Sequence, residues 1–221
     1  MSSRFVFLVV LVVIYSSHSD AYPLSTQNRW IIDEVTGQRA KLVCANWAGH
    51  LQPMIPEGLD QRPLKDIVGE LVKHRFNCMR LTYAIYMWTR YGNGNVSATF
   101  ASLDVPEVVK GVAKNNPYLL SMTHVQTFDA VVHGLGVQNV KVLLDNHVSE
   151  PIWCCNDDDE NGFFHDRHFN PQEWVHGLTL AAKHFSGNHV VCTFPFSIFG
   201  STIYMTDTFW FLIMLALYFA G

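Results

Sequence analysis

Short apolar runs that end in polar residues mark the strands of this chain. The clearest is Val140–His147, V-K-V-L-L-D-N-H, which is rich in leucine and β-branched residues and closes on Asp, Asn and His. A run of this length and composition is typical of a buried parallel strand. Comparable patterns predict strands at Lys41–Asn46 and Asn77–Tyr83, and another that starts at His189–Val191.

Between these strands, apolar positions recur with the period of a helix. Pro63 opens a segment whose Leu64, Ile67, Val68, Leu71 and Val72 fall on one helical face. A second helix is expected from Thr123 to His133, capped by Gly134 or Gly136. A third is expected to begin at Asn170-Pro171 and to stop near Gly187. Residues 84–116 form a long insertion with a helical piece near Pro106–Lys114.

The N-terminal part carries two further predictions. Arg4 precedes an apolar run from Phe5 to Tyr15, followed by small residues, so residues 1–21 are expected to be a secretory signal peptide. Asn28–Asp33 and Arg39–Asn46 flank Val35-Thr36-Gly37-Gln38, whose glycine suits a tight reversal, so a short β-hairpin is expected before the first strand.

Strands that alternate with helices indicate parallel pairing through right-handed crossovers. The fold class is therefore α/β, either a doubly wound sheet or an eight-fold barrel. No Gly-x-Gly-x-x-Gly follows any of the strands, which removes the main signal for a nucleotide-binding sheet. In a barrel, residues just past the carboxyl end of a strand face the active site, so Asp145, Asn146 and His147 are candidates by position.

Composition narrows the function classes. The chain has 221 residues, 49% of them hydrophobic and 15% charged, which suits a folded protein with a core. Its net charge is -4, so nucleic acid is not expected as a partner. Of the five cysteines, Cys44 and Cys78 lie in strands and are expected to be buried thiols, whereas Cys154 and Cys155 are expected to have separate partners or to be free.

Other residues suggest modification and carbohydrate contacts. Asn95-Val96-Ser97 is an N-glycosylation acceptor in a polar loop. Trp47, Trp88 and Trp153 have flat apolar faces that suit sugar rings, although packing explains each of them equally well. The acidic run Asp157–Gly162 begins like a calcium loop but has His168 where a bidentate Glu is needed, so no metal site and no cofactor are expected.

Four segments together resemble a known family: L-V-C-A-N-W-A-G-H from Leu42, F-N-C-M-R-L-T-Y from Phe76, V-L-L-D-N-H from Val142 and W-C-C-N-D-D-D-E-N-G-F-F from Trp153. They are similar to plant-type, cellulase-like members of glycoside hydrolase family 5. The resemblance covers residues 22–191. It implies the first three to four β/α units of a (β/α)8 TIM barrel, hence the N-terminal half of a glycosidase acting on β-linked polysaccharide.

The resemblance also implies site residues. Family members are retaining enzymes that use two glutamates, an acid/base and a nucleophile, with carboxyl groups about 5 to 5.5 Å apart. An Arg and a His that support the site correspond to Arg80 and His147 here. With Asn146 and Trp47 they form the expected substrate-binding set.

After Val191 the composition changes. Residues 192–221 contain no Lys, Arg, His or Glu and a single acid, Asp207, where the resemblance expects an Asn-Glu pair. Both family glutamates are therefore expected to be missing and the chain to be inactive. Three interpretations stay open for this segment: a truncated or alternatively spliced product, a membrane tail at Phe209–Ala220, or a lipid-anchor signal with small residues at Ser186–Asn188.

Three functions are consistent with these observations. The first is a secreted enzyme of carbohydrate breakdown, as the resemblance implies. The second is a non-catalytic protein that binds an oligosaccharide or polysaccharide through Arg80, His147 and the tryptophans. The third is a small protein tethered to a membrane by its C-terminal segment.

Overall fold

A computed structural model describes residues 22–153 and 158–192. It begins with an antiparallel hairpin of β1 (Leu24–Gln27) and β2 (Trp30–Asp33), joined at Asn28 and Arg29. The hairpin was expected one turn later, around Val35–Gln38. There Ile32 forms an isolated antiparallel bridge with Arg39, flanked by hydrogen bonds from the Asp33 amide to the Gln38 carbonyl at 2.9 Å and from the Ala40 amide to the Ile31 carbonyl at 2.8 Å. The Asp33 carboxylate accepts hydrogen bonds from the Val35 and Thr36 amides, so a local turn follows β2 at Asp33, where the predicted segment also ends.

The predicted parallel sheet is confirmed. Its strands, in spatial order, are β3 (Cys44–Trp47), β4 (Cys78–Ala84), β5 (Lys141–Val148) and β6 (Val191–Cys192). Each is parallel to its neighbour. Strand β3 starts later than predicted because the Asn77 side chain bonds the Val43 amide and the Lys41 carbonyl, which takes these groups out of the ladder.

The helices pack beside this sheet. They are α1 (Leu64–Lys73), α2 (Val96–Leu103), α3 (Pro106–Asn115), α4 (His124–Val137) and α5 (Pro171–His184). The expected starts are confirmed: Pro63 precedes α1, Thr123 and Gln126 form a capping box on α4, and Asn170 caps α5. The prediction that Gly134 or Gly136 ends α4 was wrong. A Cβ on Gly134 would lie 3.1 Å from Leu64 Cδ2, so this glycine lets α4 approach α1.

The long insertion is more ordered than the sequence indicated. A π-helical turn at Met87–Tyr91 leads to α2 and α3, and a 3-10 turn at Pro117–Ser121 precedes α4. Asn116, 1% exposed, fastens this region to the loop before α1. Its side chain donates to the Leu59 and Arg62 carbonyls at 2.6 and 2.9 Å and accepts from the Leu64 amide. The insertion is thus packed against the sheet's helical layer.

The cysteine prediction was wrong for Cys44 and Cys78, which form a disulfide between β3 and β4. Their positions are direct partners in the parallel register, and their Cα atoms are 4.2 Å apart. Sequence separation alone does not reveal this pairing. Among the described residues Cys192 is a free thiol, while Cys154 and Cys155 lie outside them.

The apolar core fills the space between the sheet and the helices. Its fully buried side chains include Leu81 on β4, Val142 on β5, and Phe128 and Leu135 on α4. Burial of these faces leaves the opposite face of β4 and β5 to carry polar side chains. In residues 22–153 and 158–192, none of the helices is both long and apolar enough to cross a bilayer.

Candidate functional site

Polar side chains gather on one face of the sheet, toward the carboxyl ends of its strands. Alternate residues of a strand share a face, so Arg80 and Thr82 on β4 point the same way as Asp145 and His147 on β5. The register supports this grouping, because Asn46 pairs with Arg80 and Thr82 pairs with Asp145. The structure therefore brings Arg80 and His147 together, as the site prediction required.

Arg80 and Asp145 form the centre of this cluster. Arg80 Nη2 lies 2.6 Å from Asp145 Oδ2, and Arg80 Nη1 donates to Asn46 Oδ1 at 3.0 Å. The Asp145 side chain is 4% exposed, whereas that of Arg80 is 34% exposed. A buried carboxylate is costly without a charged partner, so Arg80 both neutralises Asp145 and presents part of its guanidinium to the open side.

His147 is oriented by the same carboxylate. Its Nδ1 lies 3.1 Å from Asp145 Oδ2 and 3.5 Å from Arg80 Nη2. Because the guanidinium can only donate and the carboxylate accepts, we assign the proton of the neutral ring to Nδ1, facing Asp145. Nε2 then carries the lone pair. An imidazole held by a carboxylate in this way has a fixed tautomer and a fixed ring plane.

His50 adjoins the cluster and was not found by sequence reasoning. Its ring centroid lies 4.3 Å from that of His147, at an interplanar angle of 44°. Its Nδ1 lies 2.8 Å from Thr82 Oγ1. Burial, assisted by the nearby His147 and Arg80 and opposed by Asp145, lowers the pKa of His50 from 6.5 to about 4. The ring is therefore neutral near pH 7.

Asn146 and Trp47, the other two expected substrate-binding residues, are placed differently. They alternate with the cluster residues and so lie on the other face of the sheet. Asn146 Oδ1 accepts from Trp174 Nε1 on α5 at 2.8 Å. Trp47 is 7% exposed and donates from Nε1 to the Glu57 carbonyl at 2.8 Å. Both side chains hold the fold in this structure, and their substrate-binding role stays a prediction.

The other two tryptophans differ in accessibility. Trp88 packs against Tyr83, His184 and Phe185 and is only partly exposed. Trp153 is 67% exposed and follows β5 on the loop past its carboxyl end. Asn161 anchors that loop: it accepts from the Glu150 amide at 2.8 Å and donates to the Glu150 carbonyl at 2.9 Å. Of these tryptophans, Trp153 therefore has the face suited to stacking.

The acidic loop partly lies outside the described residues, which begin again at Asp158. Asp159 Oδ1 accepts from the Asn161 amide at 3.1 Å, and Glu150 pairs with His168 at 2.5 Å. In the described ranges no group of three or more His, Cys, Asp or Glu side chains is placed to hold a metal ion. Asn95, the glycosylation acceptor, is exposed and caps α2 by accepting from the Ser97 amide at 2.8 Å.

These groups suit recognition of hydroxyl-rich ligands. The forked guanidinium offers donors, and the imidazole of His147 has a fixed acceptor or donor atom, depending on its protonation. Asp145 is occupied by Arg80 and His147, so it is not placed as a free acid. A signal that could have revealed the whole cluster is the period-two spacing of Asn46, Arg80, Thr82, Asp145 and His147 at the ends of adjacent strands.

Sequence comparison supports the resemblance in the motifs. No family model matches the chain. A curated glycosyl hydrolase 5 family protein of Chamaecyparis obtusa is 50% identical over 181 residues. That match covers 81% of this chain and 32% of the relative, so the chain spans about a third of that relative's length.

Comparison with solved structures identifies the fold. The catalytic domain of the major endoglucanase of Xanthomonas campestris matches with a TM-score of 0.59 and 18% identity, over 76% of this chain and 43% of that one. An endocellulase of Pyrococcus horikoshii, solved with cellotetraose, matches with a TM-score of 0.57 and 18% identity, over 77% and 41%. The chain is thus related to the glycosyl hydrolase 5 family, and its described residues share the fold of part of an endoglucanase barrel.

Proposed function

We propose that this chain binds a β-linked glucan through the cluster of Arg80, Asp145 and His147. The observation that carries the proposal is the cluster of these groups on one face of adjacent parallel strands, with His147 next to the carboxyl end of β5, the end at which barrel proteins hold their ligands. Arg80 and His147 would contact sugar hydroxyls. Asp145 would keep both side chains in place.

The comparisons support a glucan as the ligand class. The relative in Chamaecyparis obtusa is named for glycosyl hydrolase family 5, and the Pyrococcus horikoshii endocellulase was solved with cellotetraose. Trp153 adds an aromatic face next to the same end of the sheet. Stacking on such a face is a common way to hold a pyranose ring, because the ring's C–H groups are apolar.

We further propose that the chain by itself does not hydrolyse the glucan. The retaining mechanism of the family needs a protonated acid and a nucleophilic carboxylate on either side of the scissile bond. After Val191 the resemblance expects an Asn-Glu pair, but the sequence continues Cys192-Thr193-Phe194, and no Glu occurs in residues 192–221. The activity proposed for this chain is therefore binding, and hydrolysis belongs to the family at large.

An extracellular location is part of the proposal. The apolar run at Phe5–Tyr15 favours secretion, and the Cys44–Cys78 disulfide is typical of an oxidising compartment. The exposed Asn95 is then available to carry an N-linked glycan. Membrane attachment through Phe209–Ala220 is the competing outcome, which carbonate extraction of expressed cells distinguishes by leaving the protein in the pellet.

Calorimetry with cellotetraose tests the binding proposal. The full chain is expected to give saturable heat, and Arg80→Ala is expected to weaken binding by at least about tenfold, since a charge-assisted contact contributes roughly 1.5 to 3 kcal/mol. Arg62→Ala is the matched control, because the Arg62 side chain is 54% exposed and pairs with Glu70 on α1. Arg80→Lys, which keeps the charge but loses the fork, separates lost recognition from lost folding.

Two results would contradict the proposal. One is a folded wild-type chain, judged by circular dichroism, that shows no saturable heat with either cellotetraose or mannotetraose. The other is equal affinity in the Arg80→Ala and wild-type proteins. Release of reducing sugar from a soluble β-glucan, absent in Arg80→Ala, would refute the statement that the chain does not hydrolyse.

Glycosylation is tested separately with Ser97→Ala. This change destroys the acceptor sequence but keeps Asn95, whose side-chain oxygen accepts from the backbone of residue 97. Protein secreted from eukaryotic cells is expected to lose mass on treatment with an amide-cleaving glycosidase, and the Ser97→Ala variant is expected to be insensitive. Equal mobility of both proteins before and after treatment would show that Asn95 is unmodified.

A further inference from the structure

The hydrogen bonds of Thr82 determine which nitrogen of the neutral His50 ring carries the proton. Thr82 Oγ1 accepts from the Gly49 amide at 3.0 Å, lies 2.8 Å from His50 Nδ1, and donates to the Trp47 carbonyl at 3.3 Å. A hydroxyl has one proton to donate and two lone pairs that accept. If its proton goes to Trp47, both lone pairs accept, and His50 Nδ1 must carry a proton.

This arrangement satisfies every group around Thr82. The reverse arrangement, in which the hydroxyl donates to His50 Nδ1, would leave the buried Trp47 carbonyl without this bond. We therefore assign the proton of the neutral His50 ring to Nδ1. His50 Nε2 then carries a lone pair that is buried and has no hydrogen-bond partner in residues 22–153 and 158–192.

A buried nitrogen without a hydrogen-bond partner lowers the stability of the fold. A phenylalanine would fill the same space and has no such nitrogen. The ring also lies among charged and titratable groups: Arg80 on β4, and Asp145 and His147 on β5. It is 6% exposed and stacks against His147 with centroids 4.3 Å apart. A cationic His50 in that place would be repelled by Arg80 and would lose the favourable packing of a neutral ring.

We propose that His50 is a positioning residue, whose neutral ring holds the His147 imidazole against Asp145 and releases it when His50 takes up a proton. The site's geometry then depends on acidity through a residue outside the strands. A role of His50 in ligand binding rests on the proposed function. The effect of His50 protonation on the position of the His147 ring does not.

Nitrogen-15 NMR of the histidine rings in the full chain tests this proposal, with His147→Gln to assign the His147 Nδ1–H resonance. Near pH 6.5, His50→Ala is expected to speed solvent exchange of that proton by up to about tenfold, the change that matches the energy of one ring pair. In the wild type the resonance is expected to disappear on acidification with a midpoint near 4, where the pKa of His50 lies.

His50→Phe keeps a ring in place and cannot titrate, while Thr82 retains its bonds to Gly49 and Trp47. It is expected to move that midpoint downward by about one pH unit or more. An unchanged midpoint would show that a group other than His50 causes the loss and would overturn the proposal. Unchanged exchange in His50→Ala would overturn it as well. Absence of cellotetraose binding in the wild type would refute the proposed function and leave these two results to decide the role of His50.

Discussion

The Cys44–Cys78 disulfide allows a quantitative prediction about stability. The bond joins the first two parallel strands and closes a loop with a sequence separation of 34. Cross-linking lowers the entropy of the unfolded chain, and the chain-entropy relation gives about 3.8 kcal/mol for a loop of this length at 25 °C. Cys44→Ala removes the bond and little packing, because Cys44 is exposed while Cys78 stays in its buried place.

Urea unfolding of the full chain, followed by circular dichroism without reductant, measures this contribution. With a denaturant slope of roughly 2 kcal/mol/M, the midpoint of Cys44→Ala is expected to fall by about 2 M. Cys192→Ala is the control, since Cys192 is a free thiol and its loss should leave the midpoint nearly unchanged. The wild type in excess reductant should match Cys44→Ala.

Two observations would refute this reasoning. A midpoint for Cys44→Ala within about 0.3 M of the wild type would mean that the bond does not constrain the unfolded chain as the relation requires. If the bond is present, Cys44→Ala has one more free thiol than the wild type under denaturing conditions, because Cys78 is released. A count that is lower by one in the variant would show that Cys44 is not paired.

Three further predictions concern packing and acidity. A Cβ on Gly111 in α3 would lie 2.5 Å from the Asp60 carbonyl oxygen, whereas a Cβ on Gly69 in α1 meets nothing within 4 Å. Gly111→Ala is therefore expected to lower the free energy of unfolding by about 1 to 3 kcal/mol. Gly69→Ala is expected to raise it by up to about 1 kcal/mol. Equal urea midpoints of the two variants would contradict the packing of α3. Asn116→Ala is expected to lower the free energy of unfolding by about 3 kcal/mol, because the Leu59 carbonyl and the Leu64 amide lose their hydrogen bonds. A decrease below about 1 kcal/mol would contradict the role of Asn116 in fastening the insertion. Since the pKa of His50 is about 4 in the folded protein and near 6.5 when unfolded, the unfolded chain binds the extra proton between these values. Stability is therefore expected to fall by up to about 1.4 kcal/mol per pH unit on acidification through that range, and His50→Phe is expected to flatten the slope.

The parallel sheet was predictable because the pattern that indicates each strand lies within a short stretch of sequence. The apolar run at Val142 and the alternation of apolar and polar residues around Leu81, separated by helical periodicity, indicate parallel neighbours joined by crossovers. The helix starts were equally local, since Pro63, Thr123 and Asn170 act within one turn of their own backbone.

What the sequence did not reveal depends on contacts distant along the chain. Cys44 and Cys78 become neighbours only through the register of β3 and β4. Gly134 looked like a helix end, but its lack of a side chain serves contact with Leu64 across two helices. The start of β3 was misplaced because the side chain of Asn77 replaces part of the ladder.

The candidate site was also predictable only in part, because some of its contacts join residues that are distant along the chain. Arg80 and His147 lie at strand ends and were found from the motifs, but sequence does not show that Asn146 turns toward Trp174 instead of the cluster. His50 was missed because it follows β3 in a loop, and only the fold places its ring against His147. The alternation of faces within β5, applied to Asp145, Asn146 and His147, would have separated Asn146 from the other two.

The proposed function requires Arg80, Asp145 and His147 to act as one ligand-binding cluster. NMR of the His147 ring nitrogens and the Arg80 guanidinium, recorded while the full chain is titrated with cellotetraose, tests this requirement. We expect both sets of resonances to shift together along a single saturable curve, and Arg80→Ala to abolish the His147 shift. Saturable binding that leaves both residues unperturbed would contradict it.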